Sequence, residues 1–151
     1  MLKGINPMLN ADVLRALRAM GHGDDLIIVD TNFPSDSVAR QTRLGKLLRI
    51  DNTTAAEVVE AVLSVMPLDS FVDDSACRME IIGSPEDVPP VQQEVQKAID
   101  TAEGKSWPLT SIERFAFYER AKEAYCVIQT GERRFYGCFA FRKGVVPPDA
   151  D

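Results

Sequence analysis

The chain has a single histidine in 151 residues, and its three cysteines include no Cys-x-x-Cys pair. With one His and no Cys-x-x-Cys spacing, a structural zinc site is not expected. The odd, scattered cysteines, Cys77, Cys126 and Cys138, suit buried thiols in a reducing compartment, so the expectation is a cytoplasmic protein. No stretch has the GxGxxG or GxxxxGK[ST] pattern, which disfavours nucleotide binding. The GxSxG elbow of a serine hydrolase is missing too. Apolar runs are short, and Lys3, Asn10 and Asp12 break the first one. Neither a signal peptide nor a membrane span is therefore expected. Positive charge is also in deficit: 17 Lys and Arg stand against 23 Asp and Glu, a net charge of −6. Such a field repels nucleic acid and anionic membranes.

What remains is an ordinary globular composition, with 45% hydrophobic and 26% charged residues. By length it is one domain, 1–151. Asn10 can cap a helix with Val13, Leu14, Leu17 and Met20 as its apolar face, and Gly21 is placed to end it. Residues 26–30 (LIIVD) read as a strand buried on both faces. Residues 35–50 are mixed, with a second strand expected at 47–50. Thr54 and Glu57 form a capping box for a helix bearing Val58, Val59, Val62, Leu63 and Met66, and Pro67 ends it. A strand at 77–82 follows. Next comes a helix after Pro89 and Pro90, with Val91, Val95, Ala98 and Ile99 inward. Another spans 112–125, with Phe117, Ala121 and Ala124 on one stripe. Strands at 126–129 and 138–142, joined through TGERRFYG, read as a late hairpin. Helices alternating with strands make the class α/β.

His22 stands between two glycines, just before the first strand. It is either a turn residue or an imidazole left open to a ligand, able to give and take a proton at neutral pH. A helix C-terminus beside it favours the protonated ring. Asp30, which ends that strand, either caps the next loop or meets a ligand, since ligands gather beyond the carboxyl ends of strands in open α/β sheets. Arg114, Tyr118 and Tyr136 bring a guanidinium and two phenols together late in the chain, as packing or as chemistry. Glu119, Arg120, Lys122 and Glu123 read as a solvated helix face, and Glu132, Arg133 and Arg134 as a charged hairpin tip.

Two long stretches carry a resemblance. GHGD followed by DTNFP (21–34), and RFAFYER followed by TGERRFYG (114–137), resemble in order and distance the two terminal signatures of the L-fucose mutarotases, relatives of D-ribose pyranase. LDS (68–70) and RMEII (78–82) fit between them. The resemblance implies a three-layer α/β/α domain and a homo-oligomeric ring, a decamer. It implies an enzyme that interconverts the α and β anomers of a free monosaccharide, without cofactor or metal. His22 and Tyr118 match its catalytic groups. Asp30, Asp69, Met79, Arg114, Tyr136 and Cys138 match its substrate-binding positions. Where the family usually has Tyr-Gly-Asn, this chain has Tyr136-Gly137-Cys138, which bears on the preferred sugar because a thiol is a poor hydrogen-bond partner. Two other classes stay open: a monosaccharide-binding protein associated with sugar uptake, and a ring-forming structural protein.

Overall fold

In the computed structural model, which describes residues 1–150, five helices and six strands alternate along the chain up to its last two strands, which are consecutive. The Asn10 side chain accepts from Val13 N and opens α1 (Ala11–Ala19). Thr54 and Glu57 make both halves of the capping box of α3 (Ala55–Leu63). Proline at the first position of α4 (Pro90–Glu103) suits a helix start, where an N–H has no partner to lose. Glu113 caps α5 (Arg114–Glu123) through Phe115 N and Ala116 N. The helix expected over 112–125 therefore begins later, because Ile112 still belongs to a strand.

The strands are β1 (Asp25–Val29), β2 (Leu48–Ile50), β3 (Ala76–Met79), β4 (Thr110–Ile112), β5 (Cys126–Thr130) and β6 (Phe139–Arg142). They form one sheet in the order β2-β5-β1-β6-β3-β4. Only β6 runs antiparallel to its neighbours, β1 and β3. The expected late hairpin is absent: β1 lies between β5 and β6, so the TGERRFYG segment crosses over a strand rather than turning back. The strand at 77–82 is shorter than its apolar letters suggest, since Glu80 leaves the sheet after pairing with Ile112 O. Two elements escaped the sequence pattern. These are α2 (Ser35–Ala39), too short to show a period, and β4, three residues on a sheet edge.

Side chains alternate across the sheet. Leu26 and Ile28 join one core with α1, α3 and α4, while Ile27 and Val29 join a second with α2 and α5. Strand β6 is asymmetric in the same way. Phe139 and Phe141 face the first core, and Cys138 and Ala140 face the second. The small residues leave room for Phe117 of α5, which is fully buried; such burial stabilises by roughly 1.5–3 kcal/mol. This is a three-layer α/β/α arrangement, and it sets the carboxyl ends of β1 and β3 beside the start of α5. No helix among the described residues is long and apolar enough to cross a membrane.

Candidate active site

The carboxyl edge of the sheet holds a cleft of about 240 Å3, below the roughly 300–1,000 Å3 of sites for drug-sized ligands. Six of the expected residues line it: Asp30, Met79, Arg114, Tyr118, Tyr136 and Cys138. Arg114 and Tyr118 are one helical turn apart on α5, and Arg114 Nε donates to the Tyr118 phenol oxygen at 3.0 Å. That bond uses the oxygen as acceptor and leaves the phenol proton available to a ligand. The phenol ring packs edge-on against Phe33, with centroids 5.2 Å apart.

Asp30 is 3% exposed, and it both caps and lines. One carboxylate oxygen accepts from Asn32 N and Phe33 N at 2.9 and 3.0 Å. The other accepts from Gly137 N at 3.1 Å and from the Cys138 thiol at 3.5 Å. The turn comes close because residue 137 is glycine: a Cβ there would stand 2.9 Å from Glu132 Cγ and 3.3 Å from Asp30 Cβ. Tyr136 takes up the turn with φ +62°, a left-handed conformation costly for a bulky residue. Burial and the Asp30 charge push the Cys138 thiol well above its ordinary pKa. It stays protonated at neutral pH and is no nucleophile.

Of the segment read as a charged tip, Arg133 and Arg134 are exposed as expected, but Glu132 is a buried brace. Glu132, 3% exposed, accepts from Arg134 Nε at 2.9 Å, Arg134 N at 3.0 Å and Ala55 N at the start of α3 at 3.2 Å. Burial opposes its charge, but these bonds, the Arg134 guanidinium foremost, hold its carboxyl down at about 2. Arg134 also pairs with Glu94 at 2.7 Å.

His22 and Asp69 lie elsewhere. They pair with each other, His22 Nε2 to Asp69 Oδ2 at 3.2 Å, with the imidazole 45% exposed and the carboxylate nearly buried. Phe71 N donates to Asp69, which with His22 keeps that carboxyl below its usual range despite burial. The exposed Phe71 ring sits 5.5 Å from the imidazole. Gly23 has φ +89° and Gly21 does not; the turn needs glycine after the histidine, where Gly23 N donates to Lys143 O. The end of α1 is occupied by Lys143, whose ammonium donates to Leu17 O and Met20 O. This pair marks the amino end of β1 and Asp30 its carboxyl end. Five residue steps separate Asp25 from Asp30, about 17 Å of strand, so His22 does not reach the cleft of its own chain.

Arg120, expected on a solvated face, is also inward. It meets Asp25 at 3.0 Å, as does Arg142, and Asp74 completes the cluster. This brace ties α5, β1 and β6 to the loop that carries Asp69.

Residues 3–146 match the family described as the RbsD / FucU transport protein family. The chain belongs to it. A fucose mutarotase of Danio rerio is 38% identical, over 98% of this chain and 96% of that protein. The fucose mutarotase of Streptococcus pneumoniae, solved in complex with L-fucose, superposes with a TM-score of 0.86 at 36% identity, covering 97% and 100% of the two chains. A solved "putative sugar binding protein" is 67% identical with a TM-score of 0.95, each chain covered to 97%. The RbsD/FucU fold thus matches the α/β architecture expected from the sequence.

Proposed function

We propose that this RbsD/FucU protein is a cofactor-independent mutarotase. It interconverts the α and β anomers of L-fucose or a closely related free sugar, in clefts completed by a second copy of the chain. The observation that carries the reading is the Tyr118 phenol, fixed by Arg114 with its own proton free in a sugar-sized cleft. The names of the relatives, fucose mutarotases among them, point the same way.

The reaction needs only proton transfers. A base takes the proton of the anomeric hydroxyl, the bond from C1 to the ring oxygen breaks, and an acid protonates that oxygen. The open aldehyde turns about its C1–C2 bond. Reclosure on the other face returns both protons. Tyr118 suits the acid, since a phenol is mostly protonated at neutral pH. His22 suits the base. With its Nε2–H given to Asp69, which stays ionised at neutral pH, Nδ1 keeps the free lone pair. Asp69 then acts through His22, orienting the ring, rather than on the sugar. At Asp30 the weakest of four bonds is the Cys138 thiol, and a sugar hydroxyl replaces it. Arg114, Tyr136 and Met79 form the remaining wall.

Because His22 and Tyr118 sit at opposite ends of β1, a complete site takes the imidazole of one copy and the cleft of another. Exposed rings border both halves: Phe71, 72% exposed, beside His22, and Phe115 and Phe135, 64% and 74%, around the cleft. Such apolar patches suit a covered surface, in keeping with a ring, a decamer in our reading. The expected mass by light scattering is several times the 16.7 kDa of one chain. A reducing cytoplasm suits the three unpaired buried thiols.

A second reading, sugar binding without turnover, is favoured by the name of the 67% identical structure. Saturation-exchange NMR of L-fucose separates them. Faster α–β exchange with added protein is the result expected. Line broadening without faster exchange supports binding alone.

A further inference from the structure

The geometry points to Arg78 and Gln92 as a buried positioning pair that builds the sugar-facing wall of the cleft, although neither touches the cleft. The inference rests on the reading of that cleft as a sugar pocket. Arg78 lies on β3 and is 7% exposed, and Gln92, in the first turn of α4, is fully buried. No carboxylate pairs with Arg78 among the described residues. Its guanidinium instead donates to Pro85 O at 3.1 Å, Asp87 O at 3.4 Å and Gln92 Oε1 at 3.0 Å. A buried cation without a counter-ion is costly. It persists because carbonyl dipoles surround it, and it ties the 80–88 loop down in return.

Gln92 passes the restraint on. With its oxygen facing Arg78, both amide hydrogens point at carbonyls, Met79 O at 2.8 Å and Tyr136 O at 3.0 Å. Every donor of the amide is used, and the Arg78 guanidinium dictates which way it faces. Met79 and Tyr136 both line the cleft, and Tyr136 is the residue held at positive φ. The circuit closes outside: Ile82 N, on the rim, donates to the Tyr136 phenol oxygen at 3.3 Å. Three cleft residues from two distant segments thus hang on one guanidinium and one amide. A leucine pair could fill the space but could not bond to four carbonyls.

Gln92→Glu tests this directly. The new carboxylate pairs with Arg78, so the fold keeps a partner for its buried cation. Both hydrogens to Met79 O and Tyr136 O are lost. Misplaced binding groups are expected to raise KM about tenfold, and at most about a hundredfold, with kcat changed far less because Tyr118 is untouched. A merely structural role lowers the active fraction, and so kcat, with KM unchanged; that result overturns the proposal. A readout independent of activity is fluorotyrosine NMR on the three tyrosines. The Tyr136 signal should move in Gln92→Glu while Tyr125 stays. Arg78→Lys, which keeps the charge without the fork, should move the same signal less and serves should Gln92→Glu fail to fold. An unmoved Tyr136 signal in a folded variant refutes the pair. Wild-type protein without anomer exchange refutes the mutarotase reading instead, and leaves the Tyr136 shift to decide the positioning role.

Discussion

At its carboxyl end β1 presents Asp30, whose carboxylate is held by three backbone N–H groups and a thiol. At its amino end it presents Asp25, held by the guanidinium groups of Arg120 and Arg142. Neutral donors fix Asp30 without pairing it to a cation, so that end keeps a carboxylate facing the cleft, suited to hydroxyls. Two cations cancel Asp25 and turn the other end into a brace, above which the His22–Asp69 pair stands half in solvent. On the proposed reading, the carboxyl end holds the sugar and the phenol acid, and the amino end presents the base outward. On that reading the difference between the ends teaches why neither alone would complete the reaction.

The largest effect is expected from breaking the outward end. His22→Ala should keep fold and assembly and lose most anomer exchange, in the range of about 10²–10⁴-fold for a general acid–base group. Exchange NMR with circular dichroism as fold control reads it. Tyr118→Phe, at the binding end, should slow exchange at saturating sugar more than it weakens binding, by about 10²-fold or more. A variant that only binds less well would make the phenol a positioning group.

The brace at Glu132 sharpens the comparison through pH. Its folded pKa is depressed from 4.5 to about 2. The stability it contributes is therefore fully present above pH 4.5 and is lost as pH falls toward 2. Glu132→Gln should be less stable than wild type at neutral pH, and the gap in denaturation midpoint should close over that acid window. The smallest effect is expected at Cys138. Restoring the family's usual residue with Cys138→Asn should shift preference toward L-fucose over D-galactose by up to about tenfold, the worth of one neutral hydrogen bond. An unchanged ratio means only the backbone there meets the sugar.

Much of this was legible in the sequence. The capping box at Thr54, the doubly buried LIIV run and the lone histidine between glycines each carry a local signal that survives folding. What was hidden is long-range. Arg120 and Glu132 look like solvated charge because their partners, Asp25 and Ala55 N, are 95 and 77 residues away. The late strands looked like a hairpin because nothing local reveals that β1 inserts between them. His22 and Asp30, eight positions apart, look like neighbours in one site. An extended strand turns those positions into the full height of the sheet.

The central claim, that each site joins the imidazole of one copy to the cleft of another, is tested most directly by mixing variants. His22→Ala and Tyr118→Phe chains, each nearly inactive alone, are unfolded together in equal amounts, refolded, and assayed for L-fucose anomer exchange. Random assembly should restore about a quarter of wild-type activity, since half of the clefts and half of the histidines are intact and meet by chance across a heterologous interface. Mixed assemblies no more active than either variant alone would contradict the shared site.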